Sequence, residues 1–166
     1  FQNGWDPYNQ MMNRMNSLLM QGHEVDKLEL IIEGGTYTEF PKSYLETFHR
    51  DVFYSANTFY DIEPKREPLE LAEKIFINKT TKVRIIGICI ETRPDAIDDD
   101  WIKFFRNTGT TRIQLGVQHT NNKLLKKINR GHTFEQAVEC IKYLKNNCFK
   151  VDIHLMPDLP GSTPEL

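Results

Sequence analysis

Residues 111–118 (TRIQLGVQ) put Ile113, Leu115 and Val117 on one parity and Gln114, Gly116 and Gln118 on the other. With the two-residue period of a strand, this makes one apolar face and one face of amides and glycine. Such a strand suits the wall of a barrel, apolar outside beneath helices and polar inside, where its end can meet a ligand. Three further stretches repeat the theme. Residues 27–33 set Leu28, Leu30 and Ile32 against Glu29, Ile31 and Glu33. Residues 83–90 are almost continuously apolar, as in a parallel strand covered on both sides. Residues 150–156 set Asp152, His154 and Met156 against Val151, Ile153 and Leu155.

Helical signals fill the intervals. Asp6-Pro7 opens a helix whose Tyr8, Met11, Met12, Met15, Leu18 and Leu19 recur at helical spacing, and Gly22 is placed to stop it. At that spacing the methionines read as a core-facing stripe. Pro41 starts a helix bearing Tyr44, Leu45, Phe48 and Val52, and residues 57–68, with two prolines, read as an irregular connection. The next helix is expected to turn Leu69, Ala72, Ile75 and Phe76 inward, leaving Glu67, Glu70 and Glu73 solvated. Asp98 or Asp99 caps a helix with Trp101, Ile102, Phe104 and Phe105 inward and Gly109 at its end. Leu124, Leu125 and Ile128 mark a short helix; Thr133 and Gln136 form a capping box before Ala137, Val138, Ile141 and Leu144.

Strands alternating with helices predict βα units and a parallel sheet. Four strands do not close a barrel. The repeated polar parity favours a curved, partial TIM-like (βα) barrel over a flat doubly wound sheet, whose strands are apolar on both faces.

At 166 residues one domain is the expectation, and a net charge of −2 gives no sign of a polyanion partner by itself. Cys89, Cys140 and Cys148 are too few and too irregularly spaced for a disulfide framework or a CxxC metal site. No apolar run is long enough for a membrane span and the first residues carry no signal-peptide pattern, which suits an intracellular protein. Without an initiator Met, and ending just after a strand at 164–166, the sequence reads as an excerpt at both ends.

In either parallel architecture the site lies at the strands' C-terminal ends. Gly34-Gly35-Thr36 can take positive φ and offer amides to a small polar group, although such pairs are commonly plain turns. Glu91, Arg93 and Asp95 suit a ribose hydroxyl, an amino group or a carboxylate; an internal salt bridge before Pro94 is an equal alternative. His154 and Asp152 share a strand face but lack a third metal ligand at useful spacing, and His132, just before an N-cap, reads as a loop residue. Arg112, Lys123, Lys126, Lys127 and Arg130 form a basic group, read first as a solvated helix face and second as a nucleic-acid contact.

Taken in order, several short words resemble the radical S-adenosylmethionine domain of the Elongator catalytic subunit, the acetyltransferase-like enzyme that carboxymethylates the tRNA wobble uridine. They are Gly22-His23 with Val25-Asp26-Lys27, Gly34-Gly-Thr-Tyr37 with Pro41, Ile86-Gly87-Ile88, and Ile90-Glu-Thr-Arg-Pro-Asp95. They continue through Thr111-Arg112, Leu115-Gly-Val-Gln118, Asn129-Arg-Gly-His-Thr133 and His154-Leu-Met-Pro-Asp-Leu-Pro160. The resemblance runs from Asp6 to Gly161.

It implies a partial (βα) barrel in which a [4Fe-4S] cluster cleaves S-adenosylmethionine to a 5′-deoxyadenosyl radical, with acetyl-CoA as co-substrate. It assigns the methionine amino group to Gly34, Gly35 and Thr36, and the ribose, carboxylate and adenine to Glu91, Arg93, Gln118, His154 and Met156. It further implies tRNA and other Elongator subunits as partners, a cytoplasmic setting, and a substrate-side position for Asn129 to His132. The family's three cluster cysteines would precede Phe1 and match none of the cysteines present; the acetyltransferase domain and remaining barrel strands would follow Leu166. Residues 1–166 are then an incomplete radical core domain, and position 119 is His where the family suggests Ser. The missing cysteines keep a second reading open, a non-catalytic barrel module binding tRNA or Elongator-like partners. An ordinary barrel hydrolase or aldolase would need a lysine or metal constellation at the strand ends, and the sequence has none.

Overall fold

A computed structural model describes residues 3–62 and 67–163. Its elements are α1 (Pro7–Met20), β1 (Lys27–Ile32), α2 (Lys42–Asn57), α3 (Leu71–Asn78), β2 (Arg84–Thr92), α4 (Asp99–Asn107), β3 (Arg112–Gln118), α5 (Asn122–Lys127), α6 (Phe134–Asn146) and β4 (Lys150–Leu155), with 3-10 turns at Tyr37–Glu39 and Pro94–Ala96. The strands form one sheet in the order β1-β2-β3-β4. β2 pairs with β3, and β3 with β4, in parallel, with a helix in each connection as parallel pairing demands.

The register keeps the expected parity across strands, although Ile86 on β2 and Ile153 and Leu155 on β4, expected to be covered, are exposed. Ile90, Ile113 and Val151 stand side by side, and so do Glu91, Gln114 and Asp152. Ile113 and Leu115 are both 0% exposed beneath their helices. On the polar face His154 of β4 reaches Glu91 of β2, Nδ1 to Oε1 3.6 Å, across the intervening β3. Adjacent strands lie ~4.8 Å apart, so a contact two strands wide has both side chains leaning over β3, as a concave polar face favours. One four-stranded sheet with this polar face agrees with the partial (βα) barrel expected from the sequence.

By its contacts the chain divides into two compact units, one of Phe1–Leu30, Phe40–Ile88 and Asn107–Gly109, the other of Ile31–Glu39, Cys89–Arg106 and Thr110–Leu166. In the first, Asp6 Oδ1 accepts from the Asn9 amide at 2.7 Å and caps α1. Met15 is buried with Val25, Ala56 and Val83, flanked by Met11, Met12, Leu18 and Leu28, so these methionines face the core, whereas Leu19 and Met20 at the end of the helix are exposed.

The face expected of α3 is not the one it buries. Leu69 precedes the helix, Ala72 is exposed and Phe76 is 70% exposed, whereas Lys74 and Asn78 are buried. The seam is polar. The Asn78 amide donates to Asn57 Oδ1 at 2.7 Å and to the Val83 carbonyl at 3.0 Å, and its Oδ1 accepts from Ile85 N–H at 2.7 Å. Asn57 in turn donates to the Lys74 carbonyl, and the Lys74 ammonium lies 4.0 Å from the Tyr54 ring centroid. Asn78 thus ties α3 to the entry of β2. Glu70 and Glu73 serve the helix N-terminus, the Glu70 amide donating to Glu73 at 3.2 Å. Of the connection read at 57–68, residues 63–66 lie outside the described residues.

His49, fully buried on α2, is held by burial at a pKa of about 4. Because its folded pKa lies below the unfolded value near 6.5, the contribution is fully present above pH 6.5 and is lost as pH falls towards 4. The full span is worth about 3 kcal/mol. Urea melts of the intact protein should show stability falling through this window, and His49→Leu should remove that part of the slope. Equal slopes in both proteins would refute the assignment.

In the second unit, Asp98 caps α4 by accepting from Trp101 N–H at 2.8 Å, and Thr133 and Gln136 exchange capping hydrogen bonds at 2.8 and 3.3 Å. Phe105 is fully buried among Tyr37, Trp101 and Phe149, with ring centroids 5.7 to 6.2 Å away.

Candidate functional site

Gly34 and Gly35 follow β1 after Glu33, with φ of +116° and +70°, and the space a Cβ would occupy at either is open. The segment is tied to the end of β2 twice. Thr38 Oγ1 and Thr92 Oγ1 are 2.8 Å apart, and Arg93 Nη2 approaches Glu39 Oε1 at 3.4 Å. Arg93 Nη2 also lies 3.2 Å from Asp95 Oδ2. Within this cluster Arg93 and Asp95 form the internal ion pair, while Glu91 turns to His154.

β3 ends in a bulge. Gly116 pairs with His154 and Gln118 with Leu155, so Val117 is the extra residue, and Gln118 takes a φ of +72°. The bulge breaks the strict alternation read from the sequence, yet the Gln118 side chain stays on the polar face. Its Nε2 is 3.0 Å from where a Gly116 Cβ would stand. Its Oε1 is buried without a hydrogen-bond partner, while its carbonyl accepts from Met156 N–H at 2.8 Å. A positive φ in a glutamine and an unsatisfied acceptor on the same residue each cost about 1–3 kcal/mol, and strain of this kind collects at ligand sites. Beside it Gln118, His119, Met156, Pro157, Asp158 and Thr163 help to line a hollow of about 590 Å³, the size of a small-molecule site.

The basic group divides. Arg112, at the start of β3, makes two contacts of 2.9 Å with the Asp152 carboxylate. Lys123, Lys126 and Lys127 are exposed on α5, beyond the other end of a strand spanning ~20 Å. Arg130 turns inward, and its Nη2 donates to the Gly116 carbonyl at 2.6 Å and lies 2.8 Å from a Gly116 Cβ position. Only glycine at 116 leaves room for it. Burial first, and then the neighbouring Arg93 charge, pull the Arg130 pKa below the ordinary guanidinium value, against an opposing pull from Asp95. His132, read as a loop residue, is buried: Nε2 lies 3.3 Å from the Val117 carbonyl and Nδ1 3.6 Å from Asp95 Oδ1.

Of the predicted site residues, the structure joins Glu91 with His154 across β3 and Gln118 with Met156 at neighbouring strand ends, and links Arg93 to Glu39, three residues beyond the Gly34–Thr36 segment. It adds Arg130 to the strand-end group and withdraws Arg112 from the basic surface. Gly131, between Arg130 and His132, is the sequence signal for that loop: a Cβ there would stand 2.4 Å from Asp95 Oδ2.

Residues 43–165 match the family model described as the Radical SAM superfamily. The chain belongs to the radical SAM superfamily. It is 40% identical over 162 residues to the tRNA uridine(34) acetyltransferase of Methanocaldococcus infernus, covering 98% of this chain and 29% of that protein. Against Elongator complex protein 3 of Schizosaccharomyces pombe it is 35% identical, covering 95% of this chain and 28% of that one. The solved structure of Methanocaldococcus infernus Elp3 with an N-terminal deletion superposes with a TM-score of 0.88 at 39% identity, over 97% of this chain and 36% of that one. The resemblance to the Elongator catalytic subunit stands, and the chain spans about 30% of the length of these curated relatives.

Radical SAM membership brings S-adenosylmethionine and a [4Fe-4S] cluster. The nucleoside fits the residues present: positive-φ glycines with open space beyond them, an unsatisfied Gln118 acceptor and the inward Arg130 guanidinium. The cluster does not fit. Cys89 and Cys140 are buried on β2 and α6 and Cys148 is exposed beyond α6; among the described residues no three His, Cys, Asp or Glu side chains gather as metal ligands. No helix among the described residues is long and apolar enough to cross a membrane.

Proposed function

We propose that this chain is the S-adenosylmethionine-binding part of a radical enzyme that modifies the wobble uridine of tRNA with acetyl-CoA as co-substrate, in the cytoplasm, with Elongator-like subunits as partners. The observation that carries the reading is Gln118, a strained residue with a buried, unsatisfied acceptor at the end of the central polar face. The similarity to tRNA uridine(34) acetyltransferases across 98% of the chain supplies the substrate class. Bound S-adenosylmethionine would supply the 5′-deoxyadenosyl group, released as a radical with loss of methionine once its sulfonium takes up one electron; that electron would come from a reduced cluster whose ligands are not among the described residues.

The residues here bind and orient it. Carbonyls of Gly34, Gly35 and Thr36 accept from the amino group, where a side chain would stand in the way. Glu91 and His154, paired on the concave face, address the ribose hydroxyls; Gln118 and Met156 flank the base. Arg130 takes the carboxylate beside Arg93, whose own charge Asp95 and Glu39 offset.

The test is anaerobic reconstitution of the intact protein with iron and sulfide, reduction, and assay for 5′-deoxyadenosine. Turnover is expected; absence of both turnover and S-adenosylmethionine binding would end the reading. Gln118→Gly separates ligand from scaffold. Relief of the +72° strain outweighs glycine's entropic cost, so stability is expected to rise by up to about 1 kcal/mol while S-adenosylmethionine affinity falls at least about 10-fold. Stability and affinity falling together would mean that Gln118 is purely structural.

For tRNA, the exposed Lys126 and Lys127 remain the candidates at α5. Their double replacement by Glu should weaken tRNA binding about 10-fold at low salt and lower the slope of log K against log salt by about 2. An unchanged slope would refute the contact.

A further inference from the structure

We infer that Asp95 is the positioning residue of the anion-binding end of the cleft: bonded to Arg93 and packed close against Gly131 and His132, its carboxylate fixes the Asn129–His132 loop so that the Arg130 guanidinium projects over Gly116. This rests on the reading of Arg130 as a cofactor contact.

Asp95 stands in the 3-10 turn just past β2, accepts a hydrogen bond from Arg93 and lies close to Gly131 and His132. Oδ2 lies 3.2 Å from Arg93 Nη2 and would be 2.4 Å from a Cβ at Gly131; Oδ1 faces His132 Nδ1 at 3.6 Å. The His132 side chain is 0% exposed, and its other nitrogen meets the Val117 carbonyl, so the ring spans the gap between the β2 and β3 ends. Immediately before Gly131 and His132 sits Arg130, whose amide donates to the Leu125 carbonyl at 2.9 Å and whose guanidinium donates to Gly116.

Electrostatics demands a group in this place. Arg93 and Arg130 are close enough for one to disfavour the charge of the other, and Asp95 opposes that effect. Two guanidiniums can converge on one anion from neighbouring strand ends only if their mutual repulsion is offset in a partly desolvated setting. Removing the carboxylate would leave Arg93 to repel Arg130 and would release the loop from β2. Asp95 itself stands behind the guanidiniums and acts through them.

The experiment measures equilibrium binding of S-adenosylmethionine to the intact protein without reductant, for Asp95→Asn, Gly131→Ala, Arg130→Ala and the Asp95→Asn/Arg130→Ala double variant. Asp95→Asn and Gly131→Ala are each expected to weaken binding about 10-fold or more, and Asp95→Asn to add less than about 2-fold once Arg130 is gone. Gly131→Ala keeps the carboxylate and displaces it, so it carries the same test if Asp95→Asn does not fold. Normal binding by Asp95→Asn alongside weak binding by Arg130→Ala would overturn the inference and leave the cofactor reading standing. An Asp95→Asn loss of equal size in both backgrounds would also overturn it, since a merely structural residue acts whether or not Arg130 is present. Normal binding by Arg130→Ala would remove the cofactor reading of Arg130 and the inference with it.

Discussion

Gly34→Val should cost S-adenosylmethionine binding about 100-fold. At φ +116° the backbone lies outside the range any β-branched residue adopts, so the peptide must rotate at a cost of about 1–3 kcal/mol. Rotation misdirects the amides and carbonyls of the 34–36 segment, and losing two or three polar contacts of about 1–1.5 kcal/mol each accounts for the expected loss. Within the protein, the space beyond both glycines is open. A companion variant exploits that. Asn tolerates the left-handed region, so Gly35→Asn at φ +70° keeps the backbone and merely fills the space. It should fold with near-native stability and still bind at least about 10-fold more weakly. Native affinity in Gly35→Asn would mean that nothing occupies that space in function.

The largest stability loss is expected for Phe105→Ala, about 3–5 kcal/mol by chemical denaturation. The ring is fully buried and meets Tyr37, Trp101 and Phe149. Neighbouring aromatics have few rotamers with which to refill the hole, so the cavity persists. Tyr37 begins the 3-10 turn that follows Thr36, so loosening it also loosens the 34–36 segment. Phe105→Ala should therefore weaken cofactor binding from a distance, whereas Phe105→Leu, which fills most of the volume, should lose only about 1–2 kcal/mol. A Phe105→Ala loss below about 1 kcal/mol would contradict the packing described.

Strand parity made the sheet legible. Ile113, Leu115 and Val117 are buried and Gln114, Gly116 and Gln118 share the opposite face because a parallel pair in register transmits one strand's alternation to the next. Caps were equally legible, since Asp6, Asp98 and Thr133 act within three or four residues. The α3 face was not. Periodicity counts apolar residues, and α3 docks through Asn78, Asn57 and the aliphatic stem and ammonium of Lys74, a network whose partners lie on α2 and at the start of β2. Arg130 was misplaced for a related reason. Its charge suggested a surface, but the missing side chain of Gly116, fourteen residues away, makes the room that draws it inward. The bulge at Val117 has no local signal either: Gln118 carries none of the residue types that favour positive φ.

The most direct test is the structure of the intact protein determined with S-adenosylmethionine bound under anaerobic conditions. The amino group should lie within hydrogen-bond distance of the Gly34–Thr36 backbone, the carboxylate near Arg130, and the nucleoside between the Glu91–His154 pair and Gln118. A nucleoside bound on another face of the molecule, with Gln118 Oε1 still unsatisfied, would contradict it.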